Sequence, residues 1–201
     1  MIYLYGASGH GKNIIEIFEL QQLAIAGLLD DGANENDFLG YPVSLPGNVS
    51  LGAENQLIIS IGNNAIRKRL AESIFVTYTT AIHPSCVISK RCIISAGTVI
   101  MAGVVINCDA VIGDHVILNT SCSIDHDCVL GNYAHVSPNA ALAGNVTVGE
   151  GAHIGIGASV IQGINIGKWA TVGAGAVVIS DVPDYAVVVG SPAKIIKYNH
   201  G

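Results

Sequence analysis

Between Ile82 and Val178 the chain reads Ile82, Ile88, Ile94, Ile100, Ile106, Ile112, Leu118, Ile124, Leu130, Val136, Leu142, Val148, Ile154, Val160, Ile166, Val172, Val178, a branched aliphatic at every sixth residue without an insertion. Two positions before each stands a second, mostly small residue, from Cys86, Cys92 and Thr98 through Ala134 and Ala140 to Ala176. A fixed period this short marks a solenoid of hexapeptides, a parallel β-helix. Three hexads make a triangular coil of 18 residues, each side a very short strand. The aliphatic points to the axis, and the small residue lets the chain turn the corner. Coils stack ~4.8 Å apart through backbone hydrogen bonds. No coil buries its apolar side alone, so the stack is stable only as a unit.

Working outward, the 201 residues divide into an α/β domain at 1–80 and a solenoid with its cap at 81–201. Half the residues are apolar, 12% are charged and 24 are glycine, which suits tight winding. A net charge of −6 with no Lys/Arg cluster argues against a nucleic-acid surface. The first residues lack a basic region and a long apolar run, so no signal peptide is read. No stretch approaches the ~18 apolar residues of a membrane span, and a cytoplasmic location is expected. The cysteines agree. Cys86, Cys92, Cys122 and Cys128 take the small corner position. The pairs 86/122 and 92/128 lie two coils apart, roughly 9–10 Å by strand spacing, beyond disulfide reach. They read as buried thiols of a reducing compartment. Cys108 lies off that register.

In residues 1–80, Ile2–Tyr5 is a short strand running into Gly6-Ala7-Ser8-Gly9-His10-Gly11. Lys12–Leu20 carries a helical stripe of Ile14, Ile17 and Phe18. Ala24–Leu29 is a second strand ending in Asp30-Asp31, Leu57–Ile61 a third ending in Gly62-Asn63-Asn64, and Ala65–Ile74 a helix. Alternating strands and helices imply a small parallel sheet, which binds ligands at the carboxyl ends of its strands. Ser8, Gly9 and His10, Asp30 and Asp31, and Gly62 should therefore share one crevice. The glycine loop fits a phosphate at a helix N-terminus, and Asp30 stands where a ribose-binding acid would. The spacing is not that of dinucleotide enzymes, and a purely structural turn is the alternative.

In the solenoid the richest polar cluster is Ser123-Ile124-Asp125-His126-Asp127-Cys128. Carboxylates on both sides raise the basicity of His126, which suits a general base; a solvated turn is the alternative. His135 lies half a coil on, and His153 one coil further along the same edge. His83 and His115 read as solvated turn residues. A zinc site is disfavoured, because the close His-x-x-x-x-His pair of β-helix carbonic anhydrases is absent. Asp184 breaks the period, and Gly190-Ser191-Pro192-Ala193-Lys194 reads as a capping loop.

The whole chain resembles the bacterial nucleotide-sugar acetyltransferases related to sialic acid O-acetyltransferases. It is most similar to the UDP-4-amino-sugar N-acetyltransferases that make N,N'-diacetylbacillosamine. The matching stretches are Tyr3–Gly11, Leu29-Asp30-Asp31, Ile61-Gly62-Asn63-Asn64, Ile117-Leu118-Asn119-Thr120, Ile124-Asp125-His126-Asp127 and Gly190–Lys194. The resemblance implies an α/β nucleotide-sugar domain followed by a left-handed β-helix, and a homotrimer with acetyl-CoA between adjacent solenoids. It implies His126 as general base, tuned by Asp127, where the family often has the longer glutamate. His135 is implied at the thioester, with Ile156, Ala174 and Lys194 along the cofactor. Ser8, Gly9, His10, Asp30, Asp31 and Gly62 are implied to hold the nucleotide sugar. The expected reaction is direct acetyl transfer to a 4-amine. Acetylation of a sugar hydroxyl, or a non-catalytic nucleotide-sensing module, are the rivals.

Overall fold

A computed structural model describes residues 1–32 and 37–199. The N-terminal part comprises β1 (Ile2–Tyr5), α1 (Gly9–Leu20), β2 (Ile25–Leu29), β3 (Asp37–Phe38), β4 (Tyr41–Ser44), β5 (Gln56–Ile59), α2 (Asn64–Ser73) and β6 (Thr77–Tyr78). Its sheet runs β3-β4-β2-β1-β5-β6, with β1 parallel to both β2 and β5. The carboxyl ends of those three strands therefore lie side by side. Leu4, Leu28 and Ile58 are fully buried in the middle of the sheet, and the stripe of α1 packs on them. Two boundaries differ from the sequence reading. Helix α1 begins at Gly9, not Lys12, so His10 and Gly11 are helical and the loop is only Gly6–Ser8. Strands β3 and β6 have two residues each, too short to show a period.

Seventeen two-residue strands follow, from β7 (Ala81–Ile82) to β23 (Val177–Val178). Each pairs in parallel with the strand 18 residues away, as Ile100 does with Ile82 and Leu118. Three faces result, here numbered I to III in chain order; face I carries Ala81, Val99, Ile117, His135, His153 and Thr171 outward. From Ile100 onward the repeat aliphatics lie inside, none above 3% exposed. The small residues fill the space between them: Ala110, Cys122, Cys128 and Ala134 are fully buried.

The corner itself is made elsewhere than the sequence suggests. Every sixth residue from Gly97 to Gly175, the third after an aliphatic, takes a left-handed conformation with φ between +54° and +72°. Eight of these are not glycine, including His115, Asp127, Tyr133 and Trp169. That conformation costs roughly 1–2 kcal/mol for a residue with a Cβ. It is offset because most of these N–H groups reach a carbonyl one coil below, as Tyr133 N does Asp114 O at 2.8 Å and Asp127 N does Cys108 O at 3.1 Å, while Gly103 N reaches Ser85 Oγ at 3.1 Å. The small residue thus fills the inside of the corner rather than making the turn.

The last coil is shortened. Val182 bridges Ile166, and β24 (Ala186–Val189) pairs with Thr171–Val172 at an offset of 16 residues. Asp184 accepts the N–H of Lys168 at 2.7 Å. Strand β25 (Lys194–Tyr198) then returns antiparallel to β24 and closes the end. All five cysteines are free; Cys122 and Cys128 are buried, Cys86 and Cys92 half-buried and Cys108 exposed. The α/β part lies on face I, where Ile14, Ile17 and Phe18 share a core with Ala81, Val99, Met101 and Ile117.

Candidate active site

After Ser123–Ile124 on face II, the chain turns through Asp125, His126 and Asp127 at the edge between faces II and III. Asp125 Oδ1 accepts from the His126 backbone N–H (2.8 Å) and from Asn107 one coil below (2.7 Å), which fixes the loop. His126 Nδ1 donates to Asp127 Oδ2 at 2.8 Å, so the shorter aspartate does make the contact. That bond, then the charge of Asp125, raises the imidazole above its ordinary pKa. With Nδ1–H committed to a carboxylate, Nε2 carries the lone pair of a general base. The side chain is 55% exposed. Its ring rests on Gly144 of the next coil, where a Cβ would come within 2.6 Å of Nε2. A groove of about 440 Å³ opens beside it on face II, lined by Asn107, Ser123, Asp125, Ala141, Ala143 and Ser159 among others.

On face I the imidazoles of His135 and His153 stack at 4.8 Å. His135 Nε2 faces the Asn119 amide at 3.2 Å, and His153 Nε2 shares a hydrogen bond with Ser137 at 2.8 Å. The backbone of Gly62, just past β5, lies against His135. His115 is buried, contrary to the sequence expectation, because the α/β part covers its corner; it stacks on Tyr133 at 5.5 Å and meets Tyr78 edge-on. Below them lies Arg67, fully buried, with no carboxylate partner among the described residues. It donates to His115 O and Tyr133 O at 2.8 Å, Ile61 O at 3.0 Å, Gly62 O at 3.2 Å and Asn64 Oδ1 at 3.0 Å.

At the strand ends, Asp30 is occupied: its carboxylate takes the N–H groups of Ala7 (2.7 Å) and Gly32 (2.8 Å), tying the two loops together. Asp31 is exposed and held on one oxygen by the Tyr5 hydroxyl at 2.9 Å. Glycine roles also separate. A Cβ on Gly6 would strike Ile61 and one on Gly11 would strike Gly6 O, both at 2.8 Å, whereas Gly9 has nothing within 4 Å. Gly6 and Gly11 serve packing; Gly9 faces open space. Ser8 caps α1 by backbone alone, and no acid stands in the first turn, so the N–H groups there are open to an anion.

The chain thus brings Gly62, His10 and His135 together between the two parts. His126 stays apart: the edge between faces II and III is the corner opposite face I, on the order of 15 Å away by strand rise. Ile156 and Ala174 lie in register on the edge between faces I and II, 18 residues apart, and Lys194 is exposed on β25. Arg67, Tyr5 and Asn119's contact with His135 have no sequence signal beyond residue type. Among the described residues no group of three His, Cys, Asp or Glu is placed to hold a metal, and no helix is long and apolar enough to cross a membrane.

Residues 1–74 match the family model described as the PglD N-terminal domain. Over both parts, the chain is similar to perosamine N-acetyltransferase from Caulobacter crescentus, crystallised with CoA and GDP-perosamine. The identity is 38%, covering 98% of this chain and 96% of that one, with a TM-score of 0.92. The chain belongs to the PglD family of nucleotide-sugar N-acetyltransferases. The acetyltransferase domain of PglB from Neisseria gonorrhoeae FA1090, solved also with acetyl coenzyme A, is 35% identical over 97% of this chain and 98% of that one, TM-score 0.91. UDP-N-acetylbacillosamine N-acetyltransferase of Bacillus subtilis (strain 168) is 42% identical over 98 residues, which span 44% of this chain and 45% of that protein.

The family member's histidines differ in protonation as well as position. Burial first, then the Arg67 charge, pushes His10 down to about 4. His115 also falls to about 4, chiefly by burial, which outweighs the upward pull of Asp114, with Arg67 adding a lesser downward push. His135 falls to about 3, by burial, its neighbour His153 and Arg67. Each lies below its ordinary 6.5, so the unfolded chain binds more protons and stability declines as pH drops from 6.5 towards 4. Unfolding near pH 5 is expected to take up about two to three protons. Denaturant midpoints measured across that window check this; a flat profile would contradict it.

Proposed function

We propose that this protein transfers acetyl from acetyl-CoA to the 4-amino group of a UDP-linked amino sugar, by direct attack and without an acyl-enzyme. The observation that carries this reading is the exposed His126–Asp127 pair. It stands in a chain that matches, nearly end to end, an N-acetyltransferase crystallised with CoA and a nucleotide sugar. The 42% relative named for a UDP sugar supports the choice of nucleotide. Ser8, Gly9, His10, Asp31 and Gly62 hold the nucleotide sugar, with the open N-terminus of α1 for its diphosphate. A neutral His10 serves there as a hydrogen-bonding group rather than a cation. Asp30 orders the loops. Acetyl-CoA runs along the edge carrying Ile156 and Ala174, towards Lys194, with its thioester at His135. A cytoplasmic location fits the five free thiols.

The separation of His126 from His135 supports a shared site. One copy supplies face I, and the next supplies the opposite corner, as a closed homotrimer allows. The base then meets the amine only across the interface. Screening UDP-, GDP- and dTDP-linked amino sugars with acetyl-CoA, following thiol release, tests the substrate; turnover of a sugar hydroxyl alone would refute N-acetylation. Asp31→Lys is expected to weaken nucleotide-sugar binding at least tenfold and leave acetyl-CoA binding unchanged. Calorimetry giving the reverse would overturn the assignment of the α/β part.

A further inference from the structure

The structure assigns the donor to the acetyl carbonyl: we propose that the side-chain amide of Asn119 contacts the thioester oxygen and that His135 is its positioning residue. This rests on the acetyl-transfer reading above and names a group that reading leaves open. Asn119 Oδ1 accepts the backbone N–H of Thr120 at 2.8 Å, so the amide orientation is set and Nδ2 is the atom facing His135 Nε2 at 3.2 Å. Nδ2 bears two hydrogens, and one satisfies the ring nitrogen. The ring is therefore an acceptor at Nε2, with its hydrogen on Nδ1, on the side available to the backbone of Gly62. A ring so committed has no N–H left for a substrate oxygen. The second Asn119 hydrogen has no acceptor among the described residues, and the side chain is half-buried at the surface of face I.

Register supports the same choice. Thr120 heads the column that continues, two and three coils on, through Ile156 and Ala174. Asn119 thus stands beside the edge on which the cofactor is placed. The next coil repeats the pattern with Ser137 and His153, but Ser137 is 6% exposed and so less open to a ligand than the half-buried Asn119. In the step, the amine nitrogen bonds the acetyl carbon, the carbonyl electron pair moves onto oxygen against the amide N–H, and His126 Nε2 takes the amine proton. Collapse re-forms the carbonyl, breaks the C–S bond and returns the proton to the departing thiolate. A preorganised donor of this kind is worth about 10²–10³ in kcat.

Asn119→Ala and the equal-sized Asn119→Asp, in full-length enzyme, are expected to lose about 10²–10³ in kcat, with KM for acetyl-CoA and the acidic limb of the pH profile little changed. Nitrogen-15 NMR of the wild-type protein, which no folding defect affects, should show His135 protonated on Nδ1 and bare on Nε2. Protonated Nε2 would overturn the assignment, as would wild-type kcat in Asn119→Ala. Should His126→Ala be inert while Asn119→Ala is fully active, this inference alone falls. An active His126→Ala would instead remove the reading beneath it.

Discussion

His126→Ala is expected to cut turnover by about 10²–10⁴, the usual worth of a positioned base, while leaving assembly and acetyl-CoA affinity intact. The ring is half exposed and, among the described residues, its one polar side-chain contact is Asp127, so its loss opens no core cavity. Activity within a factor of a few of wild type would sink the assignment. Asp127→Asn sharpens the test. Asp127 raises the His126 pKa, and the base must be neutral to act, so removing that charge should move the acidic limb of kcat/KM to lower pH. Mixing subunits separates base from neighbour. If His126 and the Asn119–His135 pair come from adjacent copies, co-assembling inactive His126→Ala with inactive Asn119→Ala should restore about a quarter of the sites in a closed ring. No recovery would mean that both groups serve one copy.

The solenoid was readable because the inward position recurs every six residues and is held by a branched aliphatic in every coil, with a second, mostly small residue buried beside it. The corner was misplaced for a related reason. Left-handed backbone leaves no uniform side-chain signature: Gly97, His115, Tyr133, Asn145 and Trp169 all take it. His126 stood out since a corner residue outside the packing scheme needs no imidazole. His115 looked equivalent in one dimension and is buried only because α2 and β6 arrive over its corner from residues 64–78. The same long-range arrival makes Arg67 illegible: a polar residue in a helix reads as solvent-facing until the surface it meets is known.

Arg67→Met is expected to be strongly destabilising, on the order of 3–5 kcal/mol against a total of ~5–15. Arg67 satisfies five acceptors, two on the solenoid (His115 O, Tyr133 O), two at the end of β5 (Ile61 O, Gly62 O) and one on its own helix (Asn64 Oδ1). Methionine fills similar volume and supplies no donor. The loss is then chiefly of buried carbonyls left without partners, each about 1–3 kcal/mol where water cannot reach. Burial already lowers the guanidinium to about 10, so the charge itself is held at a cost and the hydrogen bonds carry the benefit. Arg67→Lys keeps the charge but offers three donors to five acceptors, and should fall between the two. Denaturant unfolding measures both; a methionine variant within 1 kcal/mol of wild type would show that water replaces the guanidinium freely. Function should respond before stability fails. Gly62 and His135 meet across this joint, so loosening it separates the nucleotide-sugar crevice from the Asn119–His135 pair. KM for the sugar nucleotide should rise at temperatures where the protein is still folded, and His135, freed of the nearby positive charge, should titrate at higher pH than in wild type.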